Sequence, residues 1–254
     1  MFDALGRWLS ADTADVYCFQ EVTRTGGLDG WTRFVDPDRS LPQRADLFAD
    51  LCGLLPGHVG HFHPSDAGPV TAANGTAYRQ DFGIGTFVSR RLELVAEATR
   101  FVHGSFIEHG DAWPEDGRPR IAHGIRVTDA AGERHVTVVH LHGLRDSGGK
   151  KDTPARLEQA RRLAALVSEI REKDDSTVVC GDFNLLPDSE TFTVLADVGL
   201  TDLVGWADTR TSRYVKPVRH ASYLLVSHPQ RVVEFDVVAE PEISDHRILS
   251  LALR

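Results

Sequence analysis

Residues whose side chains could do chemistry stand at the ends of several hydrophobic runs of the chain. They are carboxylates, carboxamides and imidazoles: Gln20, Glu21, His140, His142, Asp182, Asn184, Asp245 and His246. Because alternate residues of a strand point to one face, His140 and His142 are expected to project together, as are Asp182 and Asn184 if the chain stays extended. Sites are commonly built where strands end at the rim of a sheet, so we expect these side chains to meet there.

This set of side chains suits the hydrolysis of a phosphate ester. Carboxylate oxygens are hard ligands of the kind that Mg²⁺ or Mn²⁺ prefers, and a bound divalent ion neutralises charge on phosphoryl oxygens. Imidazole and amide groups can bind the remaining oxygens while another carboxylate orients or deprotonates the attacking water. Any one of these residues alone could instead be a turn former, a surface carboxylate or a core histidine. Their joint occurrence favours the chemical interpretation.

The composition is that of a globular, acidic protein. The 254 residues, 41% of them hydrophobic, can bury a sizeable core and suit a single domain spanning 1–254. The formal net charge of −9 would repel a phosphate backbone at long range and disfavours bulk DNA as a partner. No run approaches the roughly 18 consecutive apolar residues of a membrane span. No signal region follows Met1, so the expected location is the cytoplasm.

Hydrophobic periodicity predicts the elements that must position these side chains. Helices are predicted at 2–9, 44–55, 154–170 and 188–198. Thr153 is the expected N-cap of the third helix, with Pro154 as its first residue. Strands are predicted at 15–22, 58–63, 81–89, 92–102, 120–127, 134–142, 176–181, 221–227, 231–238 and 246–252. Segments 64–80 and 103–119, which are rich in Gly and Pro, are expected to be loops.

Many strands, few helices and hairpin connections argue for an α+β sandwich of two sheets covered by helices. Four short motifs then resemble the successive signatures of the endonuclease/exonuclease/phosphatase superfamily, which has the DNase I-like fold. They are QE at 20–21, HLHG at 140–143, GDFN at 181–184 and SDH at 244–246. The resemblance covers nearly the whole chain from residue 15 onward. It implies a four-layer αββα sandwich of two mostly antiparallel sheets flanked by helices.

The resemblance also implies catalytic roles for four residues. Asp182 would position or deprotonate the water, and Asn184 would hold the phosphate. His246 would contact the phosphate or act as an acid or base, and His140 would stabilise charge on the phosphoryl oxygens. His142 is left between a structural and a functional role.

For the metal, the resemblance implies Glu21 as the main ligand of Mg²⁺ or Mn²⁺, with Asp245 near the ion. The chain departs from the family pattern in two places. Family members usually begin with a strand that ends in an Asn near the metal, whereas this sequence begins in what is predicted to be the following helix, so either the sequence starts late or the strand is absent. Ser222 stands where family members carry an Asp that pairs with the His corresponding to His246, and a hydroxyl stabilises a protonated imidazole poorly.

A basic stretch lies in GLRDSGGKKDTPAR, before the third predicted helix. Its cationic residues are Arg145, Lys150, Lys151 and Arg156. Glycines and basic side chains near His140 could grip an anionic substrate. The alternative is a solvated flexible loop, and the sequence leaves both open.

These observations predict a divalent-metal-dependent phosphoesterase that acts on a small or lipid-like phosphoester. A nuclease is the alternative within the enzyme class, disfavoured by the net charge. A further alternative is a degenerate family member that binds a phosphorylated ligand with little hydrolysis, because of Ser222 and the missing first strand. The substrate, the number of metals and the oligomeric state are not specified by the sequence.

Overall fold

Four helices and fourteen strands make up the computed structural model, which describes residues 1–37 and 39–254. The helices are Phe2–Ala11 (α1), Leu47–Leu54 (α2), Pro154–Ile170 (α3) and Glu190–Asp197 (α4). The prediction for the start of α3 is confirmed, because the Thr153 side chain accepts a hydrogen bond from the backbone N–H of Arg156 and Pro154 is the first helical residue.

The strands are Val16–Arg24 (β1), Trp31–Val35 (β2), Ser40–Arg44 (β3), His58–Ala72 (β4), Ala77–Ser89 (β5), Glu93–His103 (β6), Ile107–Glu108 (β7), Arg120–Thr128 (β8), His135–His142 (β9), Ser176–Asp182 (β10), Thr201–Asp202 (β11), Ser222–Val226 (β12), Val232–Val238 (β13) and Ile248–Leu253 (β14). The strands β8 and β9 pair as the predicted antiparallel hairpin.

Two six-stranded sheets form the centre of the molecule. The first has the order β1-β5-β4-β2-β3, with β7 beside β4, and the second has the order β11-β12-β10-β9-β8-β6. Pairing is antiparallel except between β9 and β10 and between β4 and β7. The strands β13 and β14 form a separate antiparallel pair. The predicted α+β sandwich of two mostly antiparallel sheets is therefore confirmed.

The helices cover the outer faces of the two sheets. On the first sheet, α2 buries Leu51 in a cluster with Phe87 of β5. On the second, α3 buries Leu163 and Val167 in a cluster with Val139 of β9. Full burial of each such side chain contributes about 1.5–3 kcal/mol, which fixes the helix, sheet, sheet, helix layering. None of the described helices has the length and apolar character needed to cross a membrane.

Two strand edges face each other without a strand between them. In the part of the chain that the structure describes, β1 pairs through one edge with β5, and β14 pairs through one edge with β13. Both open edges border a cavity of about 1780 Å³, whose lining includes Val16 and Cys18 of β1 and Ser250 and Ala252 of β14. Within the described residues, the backbone groups along these two edges make no strand pairing.

One predicted loop is wrong. The strand β4 continues to Ala72 and β5 begins at Ala77, so most of 64–80 belongs to a long hairpin. The pairing register shifts between Pro64 and Asp66, and such a bulge accommodates a proline that would otherwise interrupt a strand. The short strands β2 and β3 were not predicted. The other predicted loop, 103–119, contains the last residue of β6 and the two residues of β7.

Candidate active site

The strand β10 carries Asp182 to the rim of the second sheet. Asp182 lies opposite His142 in the parallel pairing with β9 and opposite Ser222 in the antiparallel pairing with β12. The preceding residue, Gly181, has φ +138°, and a Cβ there would lie 2.1 Å from the carbonyl oxygen of Leu141. Because only glycine permits this conformation and this close approach, Gly181 is required by the packing of β10 against β9.

A tight turn follows Asp182 and aligns its carboxylate. Asn184 has φ +55°, so the chain does not stay extended here as the sequence pattern suggested. The backbone N–H of Asn184 donates to Oδ1 of Asp182 at 2.9 Å, and its side-chain Nδ2 donates to the carbonyl oxygen of Gly143 at 3.3 Å. The N–H of Gly143 in turn donates to the carbonyl oxygen of Asp182 at 2.6 Å. The loops after β9 and β10 therefore fix each other.

Asp182 is a buried carboxylate surrounded by cationic and imidazole groups. Its side chain is 9% exposed, and Oδ2 lies 3.4 Å from Nε2 of His246. Burial raises the pKa of Asp182, but His246, His142, Arg210 and Lys150 together outweigh burial and hold that pKa below its usual value. Asp182 is therefore ionised at neutral pH.

His246 faces Asp182 and is held at both ring nitrogens. Its Nδ1 lies 2.7 Å from Oγ of Ser222, and the guanidinium of Arg210 donates to its Nε2. Because a guanidinium can only donate, Nε2 accepts and Nδ1 carries the proton that it donates to Ser222. A hydroxyl and a cation thus fix the orientation of the imidazole.

Arg210 is a site residue that sequence reasoning missed. It lies in the irregular segment between β11 and β12, and an isolated bridge pairs it with His246. Its Nη1 lies 2.6 Å from Oδ2 of Asp245, and its guanidinium carbon lies 4.0 Å from the ring centroid of Tyr214. The segment has neither periodicity nor motif, so only the long-range bridge reveals the position. Asp245, with 48% of its side chain exposed, is divided between this ion pair and solvent.

Glu21 presents its carboxylate from the first sheet. A bulge between Phe19 and Val22 interrupts the pairing of β1 with β5 at this point, and Glu21 itself has φ +56°. A left-handed conformation at a non-glycine residue is a local strain often associated with function. The Glu21 side chain is exposed and forms no hydrogen bond or ion pair with any residue that the structure describes.

The oxygen donors at this rim fit a divalent cation. Glu21, Asp182 and Asp245 line the same cavity, and carboxylate oxygens are the preferred ligands of Mg²⁺ and Mn²⁺. The unpaired carboxylate of Glu21 is free to serve as a ligand without breaking an existing contact. Asp245 would have to share its oxygens between the ion and Arg210.

The structure brings His142 rather than His140 to the rim. His140 lies on the same face of β9, two residues before His142 and further from the rim. Its Nε2 lies 2.8 Å from Oγ1 of Thr86, and its Nδ1 lies 3.4 Å from Nε2 of Gln20. His142 is the last residue of β9, beside Asp182. Burial lowers the pKa of each histidine to about 3, so both are neutral. The HLHG motif places both histidines on one face of β9. Which of them reaches the rim depends on the residue at which the strand ends.

The four basic residues predicted to bind substrate occupy different places. Lys150 faces the rim, where burial lowers its pKa to about 8 and the charge of Asp182 acts in the opposite direction. Arg156 is buried and donates to two backbone carbonyls, which holds the loop in place. Arg145 is half-buried and donates to a backbone carbonyl at 3.4 Å, while Lys151 is exposed.

A second arginine that the sequence did not reveal stands at the start of β8. Arg120 is buried, and burial lowers its pKa to about 10; the charge of Arg118 acts in the same direction, whereas Asp66, Glu21 and Asp182 oppose it. Arg118 is bound at both ends of its guanidinium by Asp66, at 2.7 and 3.0 Å. Among the described residues Arg120 forms no ion pair with a carboxylate, and its guanidinium donates to the carbonyl oxygens of Gly143 and Pro119.

Comparison with known proteins identifies relatives at the level of the family. A family model described as endonuclease/exonuclease/phosphatase family matches residues 2–246. No curated protein matches the chain.

Solved structures of similar fold cover almost the whole chain. A mannosyl-6-phosphatase of Bacteroides thetaiotaomicron VPI-5482 is 15% identical with a TM-score of 0.65, over 100% of this chain and 90% of that one. The human Nocturnin catalytic domain with bound sulfate is 19% identical with a TM-score of 0.57, over 94% and 81%. TDP2 of D. rerio complexed with a single-strand DNA product is 14% identical with a TM-score of 0.59, over 98% and 89%. At these identities the similarity shows the fold.

Proposed function

Because the chain belongs to the endonuclease/exonuclease/phosphatase family, we propose that it is a divalent-metal-dependent phosphoesterase acting on a small or lipid-like phosphoester. Family membership supports phosphoester hydrolysis in general. The observation that carries the proposal is the rim itself. It combines an ionised Asp182, 3.4 Å from the imidazole of His246, with the unpaired carboxylate of Glu21 and the cations Lys150 and Arg120.

In this proposal Glu21 is the principal ligand of Mg²⁺ or Mn²⁺, with Asp245 contributing beside it. The bound ion would neutralise charge on the phosphoryl oxygens. Arg210 keeps Asp245 in place through their ion pair.

Asp182 orients the attacking water in this proposal. Because its pKa is lowered, the Asp182 carboxylate is a weak base but accepts a hydrogen bond from the water. Its contribution is therefore to orient the water so that a lone pair points at phosphorus. Neutral His142 and the amide of Asn184 bind phosphoryl oxygens at the same rim. His246, whose Nε2 accepts a hydrogen bond from Arg210, can receive a proton once the guanidinium of Arg210 turns to the substrate.

The charge around the rim favours one phosphoryl group over a polymer. Most nearby arginines are paired with carboxylates; the pairs are Arg118 with Asp66, Arg210 with Asp245, Arg213 with Glu242, and Arg219 and Arg247 with Asp208. Lys150 and Arg120 form no such pair among the described residues. Two cations suffice for one phosphoryl group, whereas proteins that hold a long duplex typically neutralise about 6–10 phosphates. A structural neighbour named as a mannosyl-6-phosphatase is in keeping with a small substrate.

A substrate panel tests this proposal. The purified chain is assayed with Mg²⁺, Mn²⁺ or a chelator against sugar phosphates, phosphodiesters, phospholipids and short single-stranded DNA. Turnover of a small phosphoester that the chelator abolishes is the expected result. Preferential cleavage of DNA would establish the nuclease alternative instead.

Two variants locate the metal and test the degenerate alternative. Glu21→Gln should raise the metal concentration for half-maximal activity about tenfold or more, whereas Glu234→Gln, an exposed glutamate on β13, should leave it unchanged. Ser222→Asp restores a carboxylate partner for His246. Absence of turnover in the natural chain together with turnover in Ser222→Asp would establish that hydrolysis has been lost.

A further inference from the structure

A second group of metal-ligating side chains lies away from the rim, between the two sheets. His61 and His63 stand on β4 of the first sheet, with Glu97 on β6 and His123 on β8 of the second. Asp182 is on β10 and Glu97 is on β6, with β9 and β8 between these strands. Three spacings of about 4.8 Å therefore separate the two residues by about 14 Å across the sheet. The group is therefore distinct from the proposed catalytic rim.

The three imidazoles converge on one carboxylate oxygen. Oε1 of Glu97 lies 3.0 Å from Nε2 of His123, 3.1 Å from Nδ1 of His61 and 3.3 Å from Nε2 of His63. The ligand atoms of His63, Glu97 and His123 all lie within 4.8 Å of one another. A tetrahedral zinc site with bonds of about 2.0–2.1 Å places its ligand atoms about 3.3–3.4 Å apart. The distances of 3.0 and 3.3 Å from Oε1 of Glu97 to His123 and His63 are thus close to the edges of such a tetrahedron.

One nitrogen of this group lacks a partner. Nε2 of His63 is buried and makes no hydrogen bond within the described part of the chain, although Oε1 of Glu97 is nearby. A buried polar atom without a partner costs about 1–3 kcal/mol, and a metal bond would satisfy it. The rings of His63 and His123 are direct neighbours, with centroids 4.0 Å apart and planes tilted by 40°.

His123 is already oriented as a ligand would be. Its Nδ1 lies 2.6 Å from Oγ1 of Thr86, which leaves Nε2 directed at Glu97. Metal-binding histidines commonly anchor their second nitrogen in this way. The side chain of Glu97 is 34% exposed, so an ion has a path to the site from solvent.

From these contacts we propose that His63, Glu97 and His123 bind a divalent ion of the Zn²⁺ class, with His61 or water in the fourth position. Two imidazoles and a carboxylate suit Zn²⁺ better than Mg²⁺, which prefers oxygen ligands. The ligands come from both sheets, so the ion clamps β4 of the first sheet to β6 and β8 of the second. This site is independent of the proposed hydrolysis.

Zinc binding to the chelator-treated full chain tests the site, with excess Mg²⁺ present to occupy the catalytic carboxylates. We expect one Zn²⁺ per chain, a melting temperature raised by several degrees, and with Co²⁺ the visible absorption of a tetrahedral ion. His63→Gln and Glu97→Gln should weaken Zn²⁺ binding at least tenfold and abolish the Co²⁺ band. His103→Gln and Glu93→Gln, both on β6, should not.

Circular dichroism establishes that each variant is folded before binding is measured. The proposal is overturned if the natural chain binds no Zn²⁺ at micromolar concentration. It is equally overturned if His63→Gln and Glu97→Gln bind Zn²⁺ as tightly as the two control variants. Neither outcome depends on phosphoester turnover, so failure of this site and failure of the proposed function are separately visible.

Discussion

The pH dependence of activity should report the ionisation of Lys150. Burial lowers the pKa of this ammonium to about 8, against the opposing charge of Asp182. The lysine loses its positive charge as the pH rises through its pKa. An anionic substrate is therefore bound tightly when the pH is below 8 and weakly when it is above 8. With a pKa of about 8, the charged fraction falls from about 0.9 at pH 7 to about 0.1 at pH 9. We therefore expect kcat/KM to fall about tenfold between these values.

The measurement is a profile of kcat/KM, which reports groups of the free enzyme. A phosphomonoester is a suitable substrate because its second pKa of about 6 leaves its charge nearly constant above pH 7. Lys150→Arg should flatten the profile, since a guanidinium stays charged throughout this range. Lys173→Arg, at an exposed lysine after α3, should retain the fall. A Lys150→Arg profile that falls as steeply as that of the natural chain would refute the assignment.

Three further substitutions have defined consequences. Gly181→Ala should lower the free energy of unfolding by about 3 kcal/mol or more, because its Cβ would meet a carbonyl oxygen of β9 at 2.1 Å. Asp66→Asn should cost about 3–5 kcal/mol at pH 7 by leaving Arg118 buried without its partner. Burial raises the pKa of Asp66, but its hydrogen bonds outweigh burial and lower it. Its stabilisation is therefore present above about pH 4 and lost as the pH falls. Ser222→Ala should reduce kcat about tenfold with KM unchanged, because His246 loses the acceptor at Nδ1.

Matched controls separate these effects from general damage. Gly132 also has a positive φ, of +68°, but no atom lies near a Cβ placed there, so for Gly132→Ala urea unfolding should show a loss of only about 1–2 kcal/mol. Asp15→Asn removes an exposed ion pair with Arg91 and should cost less than about 1 kcal/mol. Ser227→Ala removes an equivalent contact between a hydroxyl and a histidine, because Oγ of Ser227 contacts Nδ1 of His228 outside the site. This variant should leave kcat unchanged. Equal effects of a variant and its control would contradict the corresponding prediction.

Local patterns in the sequence were sufficient to predict much of the fold. The start of α3 follows from one capping residue and a proline, and the hairpin of β8 and β9 follows from two alternating runs around a short turn. The segment 64–80 was mispredicted because its prolines and glycines are typical of loops. A bulge and a long partner strand accommodate them, and neither is visible locally.

The candidate site was predictable where a motif sits at the end of a strand. Asp182 and His246 were identified in this way, and the structure places them 3.4 Å apart. Arg210 and Arg120 were not, because their places depend on pairings between distant parts of the chain. The choice between two histidines of one motif depends on the depth at which β9 ends, which alternation alone does not give.

The central claim is that Asp182 directs the hydrolysis of a phosphoester at this rim. The most direct test is kcat/KM for Asp182→Asn with the best substrate of the panel, beside Asp197→Asn, an exposed aspartate at the end of α4. The structure predicts a loss of about 10²–10⁴-fold for Asp182→Asn and no loss for Asp197→Asn. Turnover by Asp182→Asn within about threefold of the natural chain would contradict the claim, since a water-orienting carboxylate contributes far more than that.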